Sequence, residues 1–306
     1  MAIKPKVSVI IPNFNHARFL EQRIESVISQ EFSDLEIIIL DDFSNDNSVE
    51  ILKKYEMHPF IRHIVLNKKN SGSTFVQWVK GFKLAQSEYI WIAESDDFSS
   101  ASFLKEMLAS IEEDKNIAVA YCPSHWVDEK GNVILESSTI ERAVFKGDEF
   151  IRQNFTTGNA IPNASMAIFR KESLDRVDFS ALMDFKYCGD WLFWVSLINQ
   201  SFVYQHDKPL NYYRRHTSSV SSSSEKDGLF FTEGLKVIVE IKKKIKLTYF
   251  ERILIYKKWG YKLFLHLKKP KIKRSKILLS FLSKMPISLL FCFLYYIKYS
   301  WKKLEY

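Results

Sequence analysis

The sequence predicts an α/β fold, a doubly wound mixed sheet followed by a basic helical region. Three observations carry this expectation. Short apolar runs alternate with helical periods through the first hundred residues, the pattern of successive βα units on a largely parallel sheet. One such run, Tyr89-Ile-Trp-Ile-Ala93, leads directly into the carboxylates of Glu94-Ser-Asp-Asp97. The charge is also divided: residues 235–306 carry 19 Lys or Arg against three acidic residues, whereas the preceding chain carries 25 against 33.

Val7 to Ile11 is a buried strand closed by Pro12 and Asn13, and Ala17 to Gln30 has helical spacing through Phe19, Leu20, Ile24, Val27 and Ile28. Glu36 to Leu40 is a second apolar strand. It ends in Asp41-Asp-Phe-Ser-Asn-Asp-Asn-Ser48, a run of turn and helix-capping residues, where Asp46 and Ser48 read as caps of a helix that continues to about Tyr55. Ile61 to Leu66 is a third strand, Phe75 to Gln86 a helix, and Tyr89 to Ala93 the fourth strand.

Further on the order becomes mixed. A helix is expected over Phe103 to Glu113, strands over Ile117 to Tyr121 and Ala164 to Phe169, and an apolar, aromatic helix over Asp190 to Gln200. Val203 to His206 and Leu210 to Arg214 read as strands returning to the sheet edge. The serine-rich stretch 217–227 has the composition of a loop or lid. It separates residues 1–220 from a basic amphipathic region, 221–306, that Pro270 and Pro286 break into three expected helices.

With 306 residues and 46% hydrophobic content, the chain can bury one large core with an appendage. Cys122, Cys188 and Cys292 are odd in number and lack metal-ligand spacing, so a reducing, cytoplasmic setting is expected. The opening Met-Ala-Ile-Lys-Pro-Lys has no charged-then-apolar leader pattern, in keeping with that expectation.

Carboxylates beyond the carboxyl end of a strand are suited to hold a divalent cation through oxygen, in the place where open α/β sheets bind ligands. Metal-assisted chemistry on a phosphorylated substrate is the implication. Competing motifs are absent: no Gly-x-Gly-x-x-Gly follows the first strand, and neither a phosphate-binding Gly-x4-Gly-Lys-Ser/Thr nor a Gly-x-Ser-x-Gly elbow occurs.

Taken together, Val7-Ser-Val-Ile-Ile-Pro-Asn-Phe-Asn15, Ile39-Leu-Asp-Asp-Phe-Ser44, Asn70-Ser-Gly72, Glu94-Ser-Asp-Asp97, Cys188-Gly-Asp-Trp191 and Tyr213-Arg-Arg-His216 resemble the nucleotide-sugar glycosyltransferases of the GT-A fold. The likeness is greater to family 2, the inverting group, and spans about residues 7 to 220. It implies a UDP-sugar donor, Mn²⁺ or Mg²⁺, and transfer of one hexose or N-acetylhexosamine, since the Gln-x-x-Arg-Trp signature of the processive synthases is missing. The resemblance aligns Asp42 with the carboxylate that accepts the imide N–H of uracil, and places Pro12, Asn13 and Asn15 in the wall of the nucleotide pocket. Ser71, Gly72, Glu94 and Ser95 join the donor site by the same alignment.

Glu94 replaces the first Asp of the family's Asp-x-Asp motif, which leaves Asp96 as the direct metal ligand and sends Glu94 toward the ribose or a metal-bound water. Asp97 reads either as part of this cluster or as the cap of a helix beginning near Ser99. By the resemblance Asp190 takes the place of the general base, with a simple N-cap as the competing reading, and the N-terminus of its helix is expected to favour the ionised form. Trp191 and Trp194 offer either a sugar platform or core packing. Arg214 and Arg215 read either as closing over the diphosphate, with His216 as a metal ligand or donor, or as an ordinary surface basic cluster. The other histidines, His16 among them, receive no role.

In the C-terminal region the longest uncharged run, Met285 to Ile297, has 13 residues, too short to cross a bilayer as a helix. Lysines interleaved with aromatics suit the anionic cytoplasmic leaflet, and the resemblance to family 2 implies a lipid-linked or surface-glycan acceptor there. Packing on the core with a solvated Lys face is the alternative. Nucleic acid is not an expected partner, for no binding module accompanies the charge. A non-catalytic sugar-nucleotide- or membrane-binding protein on the same fold is the competing function.

Overall fold

The computed structural model describes residues 4–216, 228–268 and 274–302. Eight strands form the main sheet: β1 (Val7–Asn13), β2 (Leu35–Asp41), β3 (Ile61–Leu66), β4 (Tyr89–Ile92), β6 (Ile117–Tyr121), β9 (Ala143–Lys146), β10 (Ala167–Arg170) and β11 (Phe202–Gln205). Their spatial order is β3-β2-β1-β4-β10-β6-β11-β9. The first four pair in parallel, as the alternation of apolar runs and helices requires, while β10 inserts antiparallel between β4 and β6 and makes the sheet mixed. Every residue of β1, β2, β4, β6 and β10 is buried, because helices cover both faces of a doubly wound sheet.

The chain leaves β1 toward β2 and β3, then returns to place β4 on the other side of β1. This reversal opens a crevice at the carboxyl ends of β1 and β4, the position where such sheets bind ligands. Helices α1 (Ala17–Ile28), α2 (Ser48–Lys53), α3 (Thr74–Leu84) and α4 (Phe103–Glu112) follow the first strands, and α1 buries Phe19, Leu20, Ile24 and Val27 on one face, as its spacing predicts. That face also buries Arg23. Asp46 caps both α1 and α2, accepting the Ala17 N–H at 2.8 Å and the Ser48 N–H at 3.0 Å.

A second sheet has the order β5-β12-β7-β8, from β5 (Phe98–Ser99), β7 (Ser124–Val127), β8 (Val133–Leu135) and β12 (Asn211–Arg214). The expectation that Leu210 to Arg214 returns to the main sheet is therefore corrected. Its pairing with β5 (Asn211 opposite Ser99) carries the chain past the end of β4 and sets His216 beside Asp96.

Three short helices, α5 (Gly147–Phe150), α6 (Phe179–Met183) and α7 (Gly189–Ile198), precede the C-terminal region. Among its described residues that region has four helices, against the three expected: α8 (Leu229–Lys244), α9 (Tyr249–Leu267), α10 (Arg274–Lys284) and α11 (Pro286–Lys302). The additional break precedes α9, which starts in a capping box. Thr248 accepts the Glu251 N–H and Glu251 accepts the Thr248 N–H. Pro286 opens α11 rather than ending a helix, since the first helical position has no use for an N–H. Pro270 and the serine-rich stretch lie outside the described residues.

Helices α8 and α9 pack on the α/β core through aromatic rings. Trp259 is fully buried, lies parallel to Trp191 at 6.3 Å, and donates its indole N–H to the Thr156 carbonyl at 3.0 Å. Gly234 permits this approach, for a Cβ there would sit 2.9 Å from the Trp259 ring and 3.1 Å from that of Trp191. Among the described residues no helix is long and apolar enough to cross a membrane.

Candidate active site

A cleft of about 780 Å³ opens at the β1/β4 reversal, and Asp42, Asp96 and Asp190 all line it. Pro12, Asn13 and Asn15 form one wall from the end of β1, and Gly72, Glu94 and Ser95 also border the space. Asn15 has a φ of +56°, a left-handed conformation that asparagine tolerates better than most residues. It is fixed there by the Ser44 hydroxyl on its N–H at 2.9 Å and by its own side-chain oxygen, which accepts the Asn45 N–H at 2.8 Å.

The Asp42 carboxylate is held by four groups. Asn67 Nδ2 donates at 2.7 Å, Ser71 N–H at 2.9 Å, Ser71 Oγ at 2.7 Å and Gln77 Nε2 at 2.8 Å. Ser71 thus acts on Asp42 and is not among the residues lining the cleft, whereas Gly72 is. The neighbouring Asp41 serves its turn, accepting from Asn13 Nδ2 and from the Ser44 N–H and hydroxyl.

At the end of β4 the three carboxylates meet different surroundings. Glu94 accepts the Trp78 indole N–H at 3.0 Å, and burial, reinforced by the charges of Asp96 and Asp97, pushes its pKa up to about 8. Asp97 is fully buried and accepts from Asn163 Nδ2, Ser165 Oγ and the Arg214 N–H. Burial and the Asp96 charge bring it up to about 6. It caps no helix, because α4 begins only at Phe103, and instead joins the strand end to the turn before β10 and to β12.

Asp96 faces the cleft with Oδ2 2.9 Å from His216 Nε2. Burial alone would raise its pKa, but the His216 hydrogen bond and the two nearby imidazoles outweigh burial and hold it below the ordinary carboxylate value. Beneath the cluster the buried Arg23 guanidinium donates to the Glu94 carbonyl at 2.9 Å and supplies a compensating charge.

Arg214 is committed to the protein. Its guanidinium donates to the carbonyls of Asp96, Asp128 and Glu129 and to Gln22 Oε1, between the rings of Phe19 and Phe98. Arg215 lies over Trp126 and Tyr213 and is not among the residues lining the cleft. The expectation that these two arginines close over a diphosphate is thus met by an Arg214 that braces the Asp96 loop and an Arg215 on the small sheet.

Asp190 stands in the first turn of α7. Oδ2 accepts from Asn159 Nδ2 at 2.7 Å and Oδ1 from the Trp191 N–H at 2.8 Å. Burial nevertheless pushes its pKa up to about 7, so the helix terminus does not keep it as acidic as its position suggested. Trp194 belongs to the core, while Trp191 lines the cleft from within a stack with Phe230 and Trp259. The loop before α7 is clamped by Glu233 of α8, whose buried carboxylate accepts the N–H groups of Lys186, Tyr187 and Cys188 at 3.0, 2.9 and 2.8 Å.

His16, given no role by the sequence, also lines the cleft. Among the described residues, His16, Asp96 and His216 form a group able to hold a metal ion, with one ligand atom from each within 4.8 Å of the others. Glu94 is not a member. The donor set suits a divalent cation: two imidazoles, with His16 kept neutral by burial below its ordinary value, and one ionised carboxylate.

A family model described as "Glycosyl transferase family 2" matches residues 8–178, more than half of the chain. The chain belongs to glycosyltransferase family 2. It is 25% identical over 260 residues to the uncharacterized glycosyltransferase YibD of Escherichia coli, covering 82% of this chain and 74% of that protein. To the poly(ribitol-phosphate) beta-N-acetylglucosaminyltransferase TarP of Staphylococcus aureus it is 28% identical over 213 residues, 68% of this chain and 62% of TarP. The crystal structure of S. aureus TarS 1-349 in complex with UDP-GlcNAc superposes with a TM-score of 0.72 at 19% identity, covering 92% of this chain and 81% of that one. This glycosyltransferase therefore has the GT-A fold, and the cleft lies where that fold's sheet reverses.

Proposed function

We propose that this chain is an inverting glycosyltransferase that moves one hexose or N-acetylhexosamine from a UDP-sugar to a hydroxyl of a lipid-linked or surface-polysaccharide acceptor. The observation that carries this reading is the convergence of Asp42, Asp96 and Asp190 on one cleft from distant parts of the sequence. The UDP-GlcNAc held by TarS and the acetylglucosamine named for TarP support the donor class.

In this reading the uracil lies against Pro12, Asn13 and Asn15. Asp42 accepts its imide N–H while the Ser71 hydroxyl turns aside. Asp190 takes the proton of the acceptor hydroxyl as its oxygen attacks the anomeric carbon and the bond to the diphosphate breaks, with UDP departing from the opposite face. Its pKa of about 7 makes it a stronger base than an ordinary Asp, yet about half ionised at neutral pH. Asn159 and the Trp191 N–H fix the carboxylate for that transfer. Asp96 and His216 would hold a Mn²⁺ or Mg²⁺ ion, which when bound would supply positive charge to the diphosphate. Arg214 acts as a positioning residue for the Asp96 loop.

The C-terminal helices carry the same reading to the acceptor. Tyr249, Phe250, Leu279, Phe293 and Tyr296 are exposed on α9, α10 and α11 amid the lysines of this region, a combination suited to the anionic cytoplasmic face of a membrane. Leu229 and Phe230 at the start of α8 line the cleft, so the helix that precedes those with the exposed apolar residues borders the acceptor space.

The test is release of nucleoside diphosphate from a panel of sugar nucleotides with Mn²⁺ and membrane-extracted acceptors. Turnover with a UDP-sugar is expected. Tight UDP binding without turnover for any donor and acceptor pair would assign the chain to the non-catalytic class instead.

A further inference from the structure

The cation is usually expected to rely on the carboxylate at the end of β4, but three loops meet at this point. His16 comes from the β1–α1 connection, Asp96 from the end of β4, and His216 from beyond β12. Their ligand atoms lie within 4.8 Å of one another, and ligands of one ion at about 2.1 Å are roughly 3–3.5 Å apart, so small side-chain adjustments bring all three onto it. The two imidazole rings stand 5.6 Å apart and nearly perpendicular, at 89°. Neither ring is loose: the Ser95 hydroxyl lies 2.8 Å from His16 Nδ1, and Phe19 packs against both. Hydrogen bonding of this kind orients a metal-ligating histidine. The Arg214 guanidinium, through the Asp96 carbonyl at 2.7 Å, holds the third member from behind.

We propose that His16 is a third protein ligand of the cation, so that two imidazoles and one carboxylate hold it and select Mn²⁺, Co²⁺ or Zn²⁺ over Mg²⁺. The inference rests on the metal-assisted reading given above. Its chemical basis is ligand hardness. Mg²⁺ favours an all-oxygen octahedron and parts reluctantly with its waters, whereas imidazole nitrogen suits the later divalent ions, and Mn²⁺ accepts both kinds of ligand. Three protein ligands also leave coordination positions for diphosphate oxygens.

The experiment titrates the full chain with Mn²⁺ alone and then with UDP, following loss of the free-ion EPR signal, and reads the bound ion by pulsed EPR for imidazole nitrogen. The wild-type protein should show two imidazole nitrogens and prefer Mn²⁺ to Mg²⁺ in competition. His16→Ala should show one nitrogen and bind Mn²⁺ about 10–100-fold more weakly. His16→Asp, which restores a ligand but makes it oxygen, should move the Mn²⁺/Mg²⁺ preference toward Mg²⁺, a change that a purely structural role for His16 does not produce.

One nitrogen in the wild-type spectrum, or unchanged affinity and spectrum in His16→Ala, overturns the proposal whether or not either variant is destabilised. Wild-type protein that binds no Mn²⁺, even with UDP, overturns it together with the metal role of Asp96. Two nitrogens without turnover of any donor leave His16 a ligand and refute sugar transfer.

Discussion

Asp190 has to lose its proton before it can accept another, and the cleft makes that loss harder than water does. Burial lifts its pKa from the ordinary 3.8 to about 7, so the ionised fraction falls as pH drops through 7. If it is the base, kcat/KM should decline about tenfold per unit below that point and level off above it, a profile that steady-state rates from pH 5 to 9 will show. A profile flat through pH 6 would assign proton removal to another group. Asp190→Asn keeps the hydrogen-bonding shape but cannot accept the proton, and should lower kcat about 10²–10⁴-fold while calorimetry shows UDP bound as before. Asp96→Ala should give the opposite division: Mn²⁺-dependent strengthening of UDP binding is lost. Residues of this kind were legible in sequence because each stands in a short motif at a strand or helix end. His16, Asn159 and Trp78 were not, since each acquires its role from a partner at least sixteen positions away, and a lone His, Asn or Trp looks the same wherever it falls. Arg214 borders the cleft, and the partners its motif does not reveal are the carbonyls of Asp96, Asp128 and Glu129, which hold its guanidinium.

At the scale of elements, the attachment of α8 to α7 controls where Asp190 points. Glu233 accepts three successive N–H groups in the loop that leads into α7. Glu233→Ala should destabilise the protein by about 1–3 kcal/mol, the cost of leaving buried donors unmet, and thermal unfolding will report it. If Asp190 is the base, the substitution should also depress kcat more than the UDP affinity, because the loop into α7 moves and the wall at the end of β1 does not. Equal losses in both would mean that the whole cleft collapses. Gly234→Ala is expected to cost about 1–3 kcal/mol through overpacking, with a Cβ driven against Trp259 and Trp191. The strands β1, β2, β4 and β6 could be read from their apolar runs, since a strand buried on both faces has few other compositions. The edge strand β9 could not, for Ala143–Lys146 has no such run and is stabilised by pairing with β11. The start of α9 was available in Thr248-x-x-Glu251, but the helical periods on either side mask a four-residue interruption.

Across the whole molecule, charge and exposed apolar surface are concentrated at one end of the chain. Residues 235–306 hold a net +16, and on the same helices Phe250 is 82% exposed and Phe293 61% exposed, while Trp259 and Phe281 are wholly buried. Packing on the core therefore accounts for the inner faces of α9 and α10, and membrane binding would use the outward faces of the same helices. Water solvates the lysines readily but not the rings beside them, so the outward apolar residues call for a covering of low polarity with a negative rim. Anionic phospholipid has both properties, and each Phe or Leu side chain transferred from water into it contributes about 1.5–3 kcal/mol. The protein should co-sediment with vesicles containing phosphatidylglycerol, less with purely zwitterionic ones, and less again as salt screens the lysines. Replacing Phe250 and Phe293 together by Asp should weaken vesicle binding at least tenfold while leaving hydrolysis or transfer to a water-soluble acceptor near the wild-type rate, because neither residue borders the cleft. If the wild-type protein ignores anionic vesicles and instead forms a dimer that the double substitution dissolves, the apolar face is an interface between copies of this chain, and delivery to a lipid-linked acceptor has to be sought elsewhere on the surface.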